Sequence, residues 1–109
     1  MSHEAKTQHT RLRIFLEGSV QGFGFRPTVY CAAQGLRLTG WVRNFDAGLE
    51  IEIEGRADQV DRFVLEVEAR RPVAAELTKQ TVEIVPSQNS LWFEILPDFR
   101  GSSSDDLGR

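Results

Sequence analysis

The sequence predicts an α+β fold, a two-layer sandwich in which two helices cover one face of an antiparallel sheet. Three observations predict it. Alternating segments and segments of helical period follow one another in the order β-α-β-β-α-β, with one extra strand. The clearest alternating run, Leu49-Glu50-Ile51-Glu52-Ile53-Glu54, is apolar on one side only and needs a cover there alone. The chain has 109 residues, 40% of them hydrophobic, which suits one domain with one core.

Arg11 to Glu17 alternates, with Leu12, Ile14 and Leu16 on one face, and reads as a half-buried strand. A glycine-rich stretch from Gly18 to Arg26 follows. Val29, Ala32, Ala33 and Leu36 then recur at helical spacing, Pro27 suits the first turn, and Gly35 marks the end. A second strand fits Leu38 to Phe45. The turn Asp46-Ala47-Gly48 joins it to the third as an antiparallel hairpin. In that third strand Leu49, Ile51 and Ile53 face the core, and Glu50, Glu52 and Glu54 form an expected solvated face.

Val60, Phe63, Val64 and Val67 describe an amphipathic helix, with Asp58 near its start, Arg70 and Arg71 near its end, and Pro72 as the stop. Two more strands fit Leu77 to Val85 and Leu91 to Leu96, separated by the turn-like Pro86-Ser87-Gln88-Asn89. The whole is a sandwich of ferredoxin-like type. The domain covers 11–97, between a polar N-terminal segment, 1–10, that reads as disordered and a polar tail or linker, 98–109.

Composition narrows the function. Thirteen Lys plus Arg against 16 Asp plus Glu leave a net charge of −3, which argues against a nucleic-acid binder. No apolar stretch approaches the roughly 18 residues of a membrane span, and the start lacks the apolar region of a signal peptide. A single cysteine, Cys31, suits a reducing compartment, so a cytoplasmic location is expected. Cys31 reads as a small core residue, and Trp41 and Trp92 as packing or partner-facing aromatics.

Both histidines, His3 and His9, lie in the opening segment, so the core holds no imidazole for a Ser-His-Asp or Cys-His site or for zinc. No metal and no cofactor are expected. An enzyme built on this chain works with Arg, Asn, carboxylates and backbone amides.

The stretch Gly18 to Arg26 carries the chemistry. A glycine-rich turn from strand to helix can aim several N–H groups into one hollow at a helix N-terminus, which suits an anion. No Gly-Lys-Ser/Thr follows, and Gly22-x-Gly24 lacks a third glycine, so neither nucleotide-binding loop fits. Arg26 closes the turn, and its fork can grip a phosphoryl group.

Gly18-x-Val20-Gln21-Gly22-x-x-Phe25-Arg26, followed by Gly40-Trp41-Val42-Arg43-Asn44, resembles the acylphosphatase signature, and the resemblance runs from Arg11 to Pro97. It implies a ferredoxin-like sandwich, phosphate binding by Arg26 and by the backbone of Val20, Gln21, Gly22, Phe23, Gly24 and Phe25, and an attacking water positioned by Asn44. Arg43 should face away from Asn44 by alternation.

The segment Gly24-Phe25-Arg26-Pro27-x-Val29-Tyr30 is most similar to the N-terminal acylphosphatase-like domain of hydrogenase-maturation carbamoyltransferases, the HypF branch. Arg71-Pro72-Val73-Ala74 is similar too, with Val73 where that branch favours a second proline. This resemblance implies carbamoyl phosphate as the acyl phosphate, with inorganic phosphate as a ligand. The further domains of a longer chain and hydrogenase-maturation proteins are then the expected partners.

Three alternatives stand beside this reading. One is a stand-alone acylphosphatase, and another is a docking domain with a vestigial anion pocket. The third is an RNA-binding module of the same strand order, which the three glutamates of the third strand disfavour because they repel phosphate.

Overall fold

The computed structural model describes residues 8–19, 24–71 and 76–98. The elements are β1 (His9–Ser19), α1 (Phe25–Gly35), β2 (Thr39–Phe45), β3 (Gly48–Arg56), α2 (Ala57–Arg70), β4 (Glu76–Val85) and β5 (Phe93–Ile95). They form the expected ferredoxin-like sandwich, with one sheet ordered β4-β1-β3-β2-β5. β1, β2, β3 and β4 pair antiparallel, but β5 joins β2 in parallel, so the sheet is mixed rather than antiparallel throughout.

The core lies between the sheet and the helices. Leu12, Ile14 and Leu16 from β1 and Leu49, Ile51 and Ile53 from β3 meet Val29, Ala32 and Ala33 of α1 and Val60, Phe63 and Val67 of α2. These residues obey the periods of two and 3.6 that define the two element types. α1 ends without a left-handed glycine. Arg37 takes the positive φ of 58°, and the Leu38 N–H returns to the Ala33 carbonyl.

Four expectations require correction. β1 takes in His9 and Thr10, because they pair with Arg56 and Gly55 of β3 and extend the ladder. β5 shrinks to Phe93–Ile95. The turn-like residues 86–89 form no turn, and the strands they separate, β4 and β5, lie at opposite edges of the sheet. Four strand spacings of about 4.8 Å put those edges roughly 19 Å apart, a distance that residues 86–92 can span, and they run across the sheet as a strap.

The fourth correction concerns the glutamates. Glu52 and Glu54 are 1% exposed and Glu50 is buried with them. Register sets Arg11 opposite Glu54, Arg13 opposite Glu52 and Arg43 opposite Glu50. Arg11 Nε donates to Glu52 Oε1 and Arg11 Nη1 to Glu54 Oε1, both at 2.6 Å. Arg13 Nε reaches Glu52 Oε2 at 2.7 Å, and Arg43 Nε reaches Glu50 Oε1 at 2.9 Å. Burial of these carboxylates is tolerable because each meets a cation and donated hydrogen bonds.

The strap covers the remaining part. Glu54 accepts from the Ser87 hydroxyl, from the N–H groups of Gln88 and Asn89 at 3.1 and 3.0 Å, and from His9 Nε2. Asn89 adopts φ 53°, a conformation asparagine tolerates better than most residues. Ser90 takes a bond from Arg11.

Burial pushes the Glu54 carboxyl up, but its bonds from Ser87, Gln88, Arg11 and His9 outweigh that and hold it well below the usual range. A carboxyl lowered on folding stabilises the native state above its unfolded value, about 4.3, and that contribution is lost as pH falls below it. Urea unfolding should therefore show stability level at neutral pH and declining below about pH 5. Glu54→Gln should flatten that decline and cost about 3 kcal/mol at pH 7, since it breaks a buried pair. Parallel pH profiles for the two proteins would contradict this role.

Candidate functional site

The N-terminus of α1 begins at a glycine that no other residue replaces easily. Gly24 caps the helix at φ 74° and ψ 22°, and its carbonyl accepts from the Thr28 N–H and hydroxyl. Phe25 is buried in the core and anchors the first turn. Arg26 follows and is held half-exposed, while Pro27 sits where a helix has no N–H bond to lose. The first turn carries no acidic side chain, so the positive end of the helix dipole stands beside a cation. Val20, Gln21, Gly22 and Phe23 lie outside the described residues.

Asn44 comes from β2. Alternation turns Val42 and Asn44 to the helix side, and Asn44 is only 7% exposed. Arg43 turns the other way, pairs with Glu50 and lies over the Trp41 ring at 4.9 Å. The expectation that Cys31 is a small core residue is corrected: it is exposed on α1, outside the arc of Val29, Ala32 and Ala33. Trp92 is 62% exposed and free to face a partner.

The two candidate catalytic residues, 26 and 44, meet at one atom. Arg26 Nη1 donates to Asp98 Oδ1 at 3.1 Å, and Asn44 Nδ2 donates to the same oxygen at 3.0 Å. Asp98 belongs to the segment the sequence reads as tail, so the folded unit extends at least one residue past 97.

Its place follows from the sheet. Val42 pairs with Ile95 in the parallel β2–β5 ladder, so by the same count Asn44 falls level with position 97, one residue before Asp98. Gly40 fixes that register, because its N–H donates to the Trp92 carbonyl at 3.0 Å. A Cβ there would lie 1.9 Å from the Glu52 carbonyl oxygen, at φ 131°.

A cation, an amide donor and the positive end of a helix therefore converge on a locus that already holds a negatively charged oxygen. The donors of Arg26 that Asp98 leaves open, beside the helix end, suit a small oxyanion next to that carboxylate. Among the described residues no group of three His, Cys, Asp or Glu is placed to hold a metal ion, and no helix is long and apolar enough to cross a membrane. Asp98 is the functional candidate that sequence reasoning missed. Its only sequence signal is an acidic residue just after the last strand.

Known proteins share this arrangement of chain. A sequence model of the acylphosphatase family matches residues 12–95. The carbamoyltransferase HypF of Rhizobium leguminosarum bv. viciae is 37% identical over 109 residues, which is 99% of this chain and 14% of that protein. An acylphosphatase of Synechococcus sp. (strain WH7803) is 36% identical over 94 residues, 85% of this chain and 93% of that one.

Among solved structures, full-length HypF in its phosphate- and nucleotide-bound form superposes with TM-score 0.83 at 32% identity, over 86% of this chain and 12% of that one. The acylphosphatase from Bacillus subtilis superposes with TM-score 0.74 at 32% identity, over 82% and 99%. The chain thus spans a small part of the HypF proteins it matches and most of the length of the small acylphosphatases.

Inorganic phosphate titrated into the 15N-labelled chain should shift the amides of the first turn of α1 and the Asn44 side chain, and Arg26→Ala should abolish those shifts. Shifts confined to another surface would remove this locus from consideration. Cys31→Ala should keep wild-type turnover, since the side chain points to solvent away from Arg26. A folded Cys31→Ala protein that lost activity would overturn that assignment.

Proposed function

The chain belongs to the acylphosphatase family, and from that premise we propose that it hydrolyses the carboxyl–phosphate bond of an acyl phosphate. Carbamoyl phosphate is the substrate we assign, with the chain acting as one domain of a hydrogenase-maturation carbamoyltransferase in the cytoplasm. The observation that carries the hydrolytic reading is the meeting of Arg26 and Asn44 on one oxygen. The HypF relative, similar along 99% of this chain, supports the assignment of context. The further domains of that longer protein and other maturation proteins are the proposed partners.

The chemistry suits a site without histidine. In the proposed reaction a water oxygen attacks phosphorus and the bond from phosphorus to the acyl oxygen breaks. The carboxylate or carbamate leaves with that electron pair. Such a leaving group departs without protonation, so little acid–base help is required. Catalysis then rests on position and on charge stabilisation.

Arg26 spends one N–H on Asp98 and keeps its others for phosphoryl oxygens, and the amides from Val20 to Phe25 are assigned to the same group. Asn44 orients the water through its amide oxygen but is too weak a base to take its proton. We assign that proton to a phosphate oxygen. No step calls for a cofactor.

One observation favours a second reading. A small acylphosphatase is 36% identical to this chain over 93% of its own length, so the likeness also suits the activity of a stand-alone enzyme. Phosphate release from carbamoyl phosphate and acetyl phosphate separates the readings. Preference for carbamoyl phosphate supports the carbamoyltransferase context, and equal use supports the stand-alone enzyme. A folded chain with no release from either is a docking module.

Arg26→Ala should raise KM and lower kcat together, because the guanidinium touches the phosphoryl group throughout. Asn44→Ala should lower kcat on the order of 10²-fold and leave KM within about twofold. Because Asn44 is buried, circular dichroism must show that this variant folds. If it weakened phosphate binding as much as Arg26→Ala at unchanged kcat, Asn44 would belong to the anion pocket instead.

A further inference from the structure

We propose that Asp98 is a positioning residue of this site, whose carboxylate selects the orientation of the Asn44 amide and holds Arg26 beside it. The inference rests on the acyl-phosphate reading above and adds a residue to it. A side-chain amide has a donor end and an acceptor end, and a half-turn about its last bond exchanges them. Asn44 can orient an attacking water through an accepted proton only if Oδ1 faces the substrate. An ionised carboxylate offers lone pairs and no proton, so it admits only the NH2 end as a neighbour.

Asp98 Oδ1, 3.0 Å from Asn44 Nδ2, thereby turns Asn44 Oδ1 the other way. The selection matters because Asn44 is nearly buried, where an amide end left without a partner costs free energy.

The same oxygen takes Arg26 Nη1 at 3.1 Å, with Arg26 and Asp98 side chains 36% and 48% exposed. Exposure weakens this pair as a source of stability. It does not weaken the geometry: one acceptor atom ties an α1 cation and a β2 amide into fixed relation. That atom reaches the site only because β5 runs parallel to β2 and delivers the chain to the level of Asn44. A carboxylate that instead served as a plug would compete with phosphate for Arg26, and its removal would help the enzyme.

Steady-state kinetics on the wild-type chain, Asp98→Ala, Asp98→Asn, Asn44→Ala and the double variant Asp98→Ala/Asn44→Ala decide the matter. Asp98→Ala should lower kcat about tenfold with KM within about twofold. Asp98→Asn keeps an acceptor oxygen and should recover most of that loss. In the Asn44→Ala background most of the Asp98→Ala loss should vanish, because the amide it orients is gone and only its hold on Arg26 remains.

Unchanged kcat in Asp98→Ala, tighter inhibition by inorganic phosphate at unchanged kcat, or a loss that persists undiminished in the double variant would each overturn the proposal. If the wild-type chain turns over nothing, the function reading fails, yet Asp98 remains testable. The two Asn44 side-chain NH2 protons should be well separated in 15N spectra of the wild type and of Asp98→Asn and should converge in Asp98→Ala. Identical spectra would overturn it.

Discussion

Glu54 sits where the chain crosses itself. Its carboxylate accepts from Arg11, from His9, from the Ser87 hydroxyl and from two successive backbone N–H groups, so it binds β1, β3 and the strap 86–92 at one point. The strap has to travel from one edge of the sheet to the other before β5 can form. With it pinned there, Trp92 offers its carbonyl to Gly40 and β5 settles parallel to β2. Asp98 then stands beside Asn44. A buried carboxylate on the face away from the helices thus sets the position of a carboxylate in the candidate site.

The two faces of the sheet divide the labour. The helix side holds the apolar core and, at one end of β2, the buried Asn44. The opposite side replaces apolar packing with three carboxylates and three guanidinium groups in cross-strand register. Such a network is tolerable only when every carboxylate is matched, which makes it sensitive to single substitutions. The site needs the reverse of that balance. An arginine and the end of a helix present surplus positive charge, and a single carboxylate offsets part of it without filling the arginine's remaining donors.

Much of this was legible because periodicity reports sides. Alternation placed Leu49, Ile51 and Ile53 on the core, and the 3.6 period placed Val60, Phe63 and Val67 there too. It could not report what covers the other side, so Glu50, Glu52 and Glu54 read as solvated. Their cover is the strap, and Pro86-Ser87-Gln88-Asn89 has the composition of a turn whether it reverses or crosses the sheet.

Cys31 was misplaced by residue type. At 100° per residue it falls about 200° from Val29, on the far side of the helix. Arg26 and Asn44 could be picked out from local residues and a family resemblance. Asp98 could not, because its contact with Asn44 spans 54 residues and depends on the direction in which a three-residue strand pairs.

A crystal structure of the chain with inorganic phosphate tests the account most directly. It should show phosphate oxygens at about 2.7–3.0 Å from the Arg26 guanidinium. Asn44 Nδ2 should still lie on Asp98, with Asn44 Oδ1 turned toward a water beside the phosphorus. Phosphate seated in place of the Asp98 carboxylate, taking both donors at once, would contradict the account.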